Sequence, residues 1–378
     1  MPVPAPFEVA VNLRNNPRAM DDRYPLNTLL APPPSQSAAP ATTQQQQHPQ
    51  PTPARWQRSL AAAVTRPAEL LELLGLDAGL PALDGSALRD FPLRVPHSFV
   101  ARMRFGDPRD PLFLQVWPAS AEALDAPGFA LDAVGDLAKL KPGGLIHKYQ
   151  GRALVVATGA CAVHCRYCFR RHFPYSDAIA ARGAWRETLD QLAADTSVEE
   201  AILSGGDPLA LSDDKLAAFA VGLEALPNIR RLRLHTRVPV VLPERVDDAL
   251  CAWLTRSRLQ KVVVLHINHP QEIDAEVGAA LARLRATGAT LLNQAVLLKG
   301  VNDSADTLVA LSEKTFAHGV LPYYLHVLDR VQGAAHFDVD GTTASQLMRD
   351  ISARLPGYLL PRLVREIAGA PAKTLLPW

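Results

Sequence analysis

The sequence predicts an α/β fold, a parallel sheet wound from six strand–helix units into a barrel that is closed or nearly closed. Three observations carry this prediction. Apolar runs of the length of buried parallel strands recur at 153–158, 200–203, 229–235, 261–267, 290–296 and 320–327. Helical apolar spacing alternates with them, marked first by Trp185, Leu189 and Leu192 and next by Leu216, Phe219, Leu223 and Leu226; strands in series with crossover helices give a parallel sheet. Three of the four cysteines follow the first strand, and chemistry in such folds gathers at the strands' C-terminal ends.

In chain order, residues 1–54 hold 12 of the 32 prolines, the triplet Pro32-Pro33-Pro34 and a run of glutamines from Gln44 to Gln47. Such a composition buries too little apolar area to offset ordering and reads as a disordered tail, with one apolar piece at 24–30. Residues 55–150 read as a mainly helical region. Trp56, Leu60 and Val64, then Leu70, Leu73 and Leu74, have helical spacing, with Pro67 at one helix start and Gly75 at its end. Prolines and apolar residues mix over 93–118 as short helices and turns, and a turn at 141–144 leads towards the cysteines. The barrel core is expected over 151–345 and a C-terminal segment over 346–378.

Composition excludes several classes. A net charge of +1 gives no basic field for nucleic acid. No apolar run reaches the roughly 18–20 residues that span a bilayer, and the first residues lack the cationic and apolar regions of a secretory segment. Few cysteines, mostly clustered, fit a reducing cytoplasm.

Cys161, Cys165 and Cys168 are spaced C-x3-C-x2-C, with Tyr167 just before the third. Thiolates this close on one loop can hold a metal centre. A [4Fe–4S] cluster normally takes four cysteines, so three leave one iron open to a small molecule. A Cys3His zinc site using His164 or His172 also stays open on spacing, although no second cysteine pair accompanies it. A disulfide suits the odd count poorly. Cys251, in an expected helix, reads as a small buried apolar residue. Gly205-Gly206-Asp207-Pro208 ends the second strand and alone reads as a tight turn.

The cysteine motif with its aromatic residue resembles the signature of the radical S-adenosylmethionine (SAM) enzymes, in which the open iron chelates SAM and electron transfer yields a 5′-deoxyadenosyl radical. The glycine turn is similar to that family's Gly-Gly-Glu-Pro segment, with Asp207 replacing Glu. From about Trp56 to Trp378 the chain resembles the lysine 2,3-aminomutase family, and within it the branch that makes (R)-β-lysine for modifying translation elongation factor P. The carrying stretches are Lys148-Tyr-Gln-Gly-Arg152, Cys168-Phe-Arg-Arg-His-Phe-Pro-Tyr175, His235-Thr-Arg-Val-Pro-Val-Val-Leu-Pro243, His266-Ile-Asn-His-Pro270, Asn293-Gln-Ala-Val-Leu-Leu-Lys-Gly-Val-Asn-Asp303, Tyr323-Tyr-Leu-His-Val-Leu-Asp329 and Lys373-Thr374.

This resemblance implies a partial (β/α)6 radical SAM barrel with an N-terminal helical layer and a C-terminal segment closing over its mouth. It implies a [4Fe–4S] cluster on Cys161, Cys165 and Cys168, with SAM held by Tyr167, Gly205, Gly206, Asp207 and His266. It also implies pyridoxal 5′-phosphate (PLP), because an imine nitrogen can move between adjacent carbons where a primary amine cannot. The PLP lysine is then Lys373, which as a residue near a chain end otherwise reads as a solvated tail lysine. Arg152 and Gln294 are the expected PLP phosphate ligands. Arg170 is expected to bind the carboxylate of L-lysine, and Asp329 and Glu366 its ε-ammonium; Glu366 stands where lysine aminomutases place an aspartate. A low-potential electron donor and a link to elongation factor P and its ligase complete the expected partners, with homo-oligomerisation left open.

Overall fold

Ten strands join in chain order into one sheet in the computed structural model, which describes residues 54–83, 85–183 and 185–378. They are β1 (Leu140–Lys141), β2 (Leu145–Tyr149), β3 (Arg152–Thr158), β4 (Glu200–Gly205), β5 (Arg231–Thr236), β6 (Gln260–Leu265), β7 (Thr290–Val296), β8 (Leu321–His326), β9 (Arg362–Arg365) and β10 (Thr374–Leu375). Neighbours from β3 to β9 pair in parallel, and antiparallel pairs β1–β2, β2–β3 and β9–β10 finish the two edges.

Side chains alternate across a strand with a period of two, and here the two faces meet different surroundings. Val155, Leu203, Leu234, Val263, Leu291 and Leu325 point to one face and are buried with Leu192, Phe219, Leu254, Leu284 and Met348 of the flanking helices. Each such side chain contributes roughly 1.5–3 kcal/mol by burial. Residues of the opposite parity, among them Arg233, His235, Gln294, Tyr324 and His326, line an inner cavity. The sequence Arg231-Leu-Arg-Leu-His-Thr236 shows how one strand serves both. The helices Asp248–Arg256, Ala275–Ala286, Ala305–Ala317 and Gly341–Ser352 start behind Asp247, Asp274, Ser304 and Asp340, whose side chains accept from backbone N–H groups of the first turn.

The sheet is open, its strands running in order from β1 to β10 with no pairing between the ends among the described residues, which suits a partial barrel. The fold departs from the sequence expectation in three respects. A seventh parallel strand, β9, lies beyond the six expected. The expected boundary at 150 falls inside the sheet, because β2 pairs with β3, and that at 345 cuts the helix Gly341–Ser352. Val64 does not continue the helix Arg55–Ala61 but bridges to Val95. The helix Pro67–Leu74, by contrast, has Pro67 in its first turn and Gly75 as a left-handed cap at φ 61°. The expected tail, with its apolar piece at 24–30, lies outside the described residues except for Ala54. Among the described residues no helix is long and apolar enough to cross a membrane.

The N-terminal layer fixes the loop after β3. Arg166 grips Glu122 with two bonds, Nε to Oε1 at 2.8 Å and Nη2 to Oε2 at 2.6 Å, and Arg171 Nη2 reaches the same Oε2 at 2.6 Å. Both guanidinium groups also stack over Phe91. The backbone N–H groups of His164 and Arg166 donate to Arg94 and Gln115 of the same layer. Glu122 is the anion shared by two buried arginines, so Glu122→Ala is expected to cost about 3–5 kcal/mol in denaturant unfolding. A loss below about 1 kcal/mol, the range of an exposed pair, would show that the clamp is not what holds the loop.

Candidate active site at the strand ends

A cavity of about 370 Å³ opens on the inner face at the C-terminal ends of the strands. Cys161, Cys165 and Cys168 line it together with Gly205, Gly206, Asp207, Tyr167, His266, Arg152, Gln294, Arg170, Asp329, Glu366 and Lys373. Every residue expected at the site from the sequence therefore borders one space. The structure refines what each side chain can do there.

The three cysteines are free thiols on the loop after β3. Burial raises the Cys168 thiol pKa to about 11 and pushes Cys161 well above its ordinary value, with Cys–Cys repulsion adding in both cases. Thiolates here need a cation, which a metal cluster provides. The Cys165 sulfur accepts a hydrogen bond from Arg237 Nη1 at 2.8 Å. The histidines of the alternative zinc reading are engaged elsewhere: His164 Nδ1 contacts the Pro92 carbonyl at 2.8 Å and its ring stacks on Phe91, while His172 Nε2 meets the Gln332 carbonyl. No group of three or more His, Cys, Asp or Glu among the described residues is disposed to hold one metal ion. Three buried thiols on one loop suit an iron–sulfur cluster, whose ligands are cysteine thiolates.

Beside the cysteines, Tyr167 is buried with its hydroxyl in a polar network. It meets His266 Nε2 at 2.9 Å, Asn268 Nδ2 at 2.7 Å, Arg237 Nη1 at 2.7 Å and Gln115 Oε1 at 3.2 Å, and its ring stacks on His266. Burial and the Arg237 charge lower the His266 pKa to about 3, so its imidazole is neutral. Gly205 adopts φ 100°, and a Cβ on Gly206 would fall 2.5 Å from the Ala160 carbonyl oxygen. Only glycines let this turn press against the root of the cysteine loop. The Asp207 carboxylate is consumed by the protein. It accepts from Leu209 N and Thr236 Oγ1 on one oxygen and from Arg237 N and Val238 N on the other. It offers a ligand backbone groups rather than its side chain.

On the opposite side a chain of alternating charges crosses to the C-terminus. Arg170 Nε meets Asp136 Oδ2 at 2.7 Å, Asp136 Oδ1 meets Lys148 Nζ at 2.6 Å, Lys148 Nζ stands 3.5 Å from Glu366 Oε1, and Glu366 Oε2 meets Lys373 Nζ at 2.8 Å. The Tyr149 hydroxyl also donates to Glu366 Oε1. Burial alone would raise the pKa values of Asp136 and Glu366, but their cationic partners outweigh it and hold both below the ordinary carboxylate range. Arg170 spends Nη1 on Ser204 Oγ at 3.1 Å, which leaves Nη2 without a protein partner among the described residues.

Asp329 behaves differently. Its Oδ1 is buried without a hydrogen-bond partner, and burial, only partly offset by Lys373, raises its pKa to about 7. His235 and His326 likewise keep a buried Nε2 unpartnered, and burial holds both well below the ordinary histidine range. The Arg152 guanidinium stacks over Tyr149 at 4.7 Å and has no carboxylate partner among the described residues. An unpaired arginine, Gln294, two imidazoles with a free nitrogen and a lysine, all facing one cavity, are a fitting set for a phosphorylated aromatic aldehyde such as PLP.

Sequence reasoning missed Asp136, which follows Gly135 in a segment without period or motif. Lys148, Tyr149, His235, Arg237 and His326 lie in stretches that carry the resemblance, but only the fold gives them partners. Gln115 and Glu272 come from distant segments and meet at Arg237.

Known proteins resemble this chain along most of its length. Residues 155–310 match the Radical SAM superfamily. An L-lysine 2,3-aminomutase of Escherichia coli (strain K12) is 50% identical over 86% of this chain and 96% of its own length. One of Haemophilus influenzae is 47% identical over 85% of this chain and 95% of its own. A solved radical SAM methyltransferase from Sphaerobacter thermophilus superposes with a TM-score of 0.41 at 17% identity, covering 58% of this chain and 68% of its own, a likeness that bears no weight here. Identity sustained over nearly the whole of two relatives settles the affiliation: the chain belongs to the lysine 2,3-aminomutase family of radical SAM enzymes.

Proposed function

We propose that this protein converts L-lysine to (R)-β-lysine by 2,3-amino migration, using a [4Fe–4S] cluster, SAM and PLP. The observation that carries the reading is Asp329, a buried carboxylate with an unpartnered oxygen in a cavity that also holds three cysteines and Lys373. A buried anion without a partner is costly unless a cation arrives, and the ε-ammonium of lysine is such a cation. Cys161, Cys165 and Cys168 would hold the cluster, which with SAM would supply radical chemistry, and Lys373, Arg152 and Gln294 would hold PLP, which would supply an electrophilic carbonyl for the amine.

The chain's own residues divide the remaining work. Arg170, oriented by Asp136 and Ser204, offers Nη2 to the substrate carboxylate. Asp329 takes the ammonium at the far end, so the two charges fix lysine along the cavity and present its β-carbon. Glu366 was expected to share the ammonium. Its bonds to Lys373, Lys148 and Tyr149 support a different emphasis, in which it orients Lys373 and leaves Asp329 as the principal anion. Arg152 and Gln294 hold the phosphate. The buried walls, Ile202 and Val264 among them, exclude water from a radical. Supply of β-lysine for modification of elongation factor P is the use we assign, resting on the sequence stretches shared with that branch. A reducing cytoplasm suits the free thiols.

The reading predicts that anaerobic incubation of reconstituted protein with L-lysine, SAM, PLP and dithionite yields β-lysine and 5′-deoxyadenosine by mass spectrometry. Deoxyadenosine without β-lysine would contradict the substrate. In ligand-free protein the Asp329 carboxyl is neutral below pH 4 in both folded and unfolded states, so it costs nothing there. The cost of its ionisation grows as pH rises and is complete above about pH 7. Asp329→Asn is therefore expected to raise the melting temperature at pH 8 while lowering kcat/KM for lysine at least tenfold; a variant equally active would refute the role. Because the ammonium needs the ionised carboxylate, the KM for lysine should fall as pH rises through about 7, and this dependence should vanish in Asp329→Asn.

A further inference from the structure

Arg237 follows β5 and is only 5% exposed. One arm of its guanidinium, Nη1, donates to Cys165 Sγ at 2.8 Å and to the Tyr167 hydroxyl at 2.7 Å. The other, Nη2, donates to Gln115 Oε1 at 2.6 Å and to Glu272 Oε2 at 3.1 Å. Its backbone N–H is anchored on Asp207 and its plane lies over Phe99. Glu272 is itself fixed, accepting from Asn268 N, His269 N and Gln115 Nε2. The cation therefore cannot swing away from the sulfur without breaking a buried network. Among the described residues, Cys165 is the cysteine of the loop whose sulfur takes a hydrogen bond from a charged side chain.

We infer that Arg237 is a positioning residue that sets the reduction potential of the cluster through the Cys165 sulfur, with Glu272 as its counterweight. The inference rests on the proposed function, in which Cys165 is a cluster ligand. One-electron reduction adds a negative charge shared by the cluster and its thiolates. A guanidinium hydrogen-bonded to one thiolate stabilises that added charge, and in a buried site little water screens it. Hydrogen bonds to the sulfurs and net charge are among the levers that fix such potentials. Glu272 carries the opposite charge on the far side of the guanidinium, so it damps the effect without cancelling it. The sequence offers no sign of this role, since the three participants lie at 165, 237 and 272 and meet only in the fold.

The test is an anaerobic redox titration of the cluster signal by electron paramagnetic resonance, in reconstituted full-length protein without SAM. Arg237→Gln should lower the equilibrium constant for one-electron reduction at least tenfold, which is about 59 mV towards negative potential. Glu272→Gln should shift the midpoint in the opposite direction, and Arg237→Lys, which keeps the charge, should recover part of the loss. Midpoints unchanged in these variants at wild-type iron content would overturn the inference, whatever happens to turnover. Arg237→Gln removes a buried ion, so where it fails to fold, Glu272→Gln and Arg237→Lys decide the matter by the same signs. Wild-type protein that takes up no cluster would overturn the proposed function instead, and this inference with it.

Discussion

The carboxylate of Glu366 is the constraint on which the site depends. It is the fourth member of a run of five alternating charges, Arg170, Asp136, Lys148, Glu366 and Lys373, that spans the cavity from the cysteine loop to the C-terminal segment. Buried ions survive only where paired, and alternation lets every carboxylate face two cations. Lys373 sits on no strong element of its own. β10 beside it contributes two residues to the sheet, too little to hold a cationic side chain in a largely enclosed space. The bond to Glu366, together with that short pairing, brings a residue that composition alone would leave in solvent into the cavity.

Against this compensated run, the groups left uncompensated acquire meaning. Asp329, His235 and His326 face the cavity with buried polar atoms that have no partner among the described residues, and Arg152 faces it with no carboxylate partner among them. Natural chains tolerate such costs chiefly where function needs them. Their arrangement is directional. Arg152, with no carboxylate partner among the described residues, stands at the start of β3, and Asp329, with one oxygen unpartnered among them, follows β8. The spare donor of Arg170 lies between the cysteines and Asp136. A zwitterion with a second ammonium at its far end matches the last two.

The sheet's inner and outer faces explain what was legible in the sequence. Six parallel strands announce themselves because the outer face of each is packed with aliphatic residues that leave runs of recognisable length. β9 escapes notice because it is four residues long and begins and ends with arginine, and β2 because His147 and Lys148 interrupt its apolar pattern. Whether a sheet closes depends on what covers its outermost parallel strands, here β2 against β3 and β10 against β9, and periodicity carries no such information. At the site, the cysteines, Tyr167 and the glycine turn are readable because they are close in sequence. Lys373 is readable only through family resemblance, since nothing local distinguishes it. Asp136 and the Gln115–Arg237–Glu272 network are invisible at that level. Arg170 lies 34 residues from Asp136, and Gln115 and Glu272 lie 122 and 35 residues from Arg237, so these pairings exist only once the chain is folded.

In the proposed function Lys373, rather than Lys148, is the amine that receives PLP. Both ammonium groups line the cavity and both contact Glu366. Borohydride reduction of PLP-loaded protein, followed by peptide mapping by mass spectrometry, separates them directly. A pyridoxyl adduct on the peptide containing Lys373, and its loss in Lys373→Ala, is the expected result. An adduct at Lys148, or one that persists in Lys373→Ala, would contradict this assignment; an adduct at Lys148 would move the chemistry to the middle of the charge run.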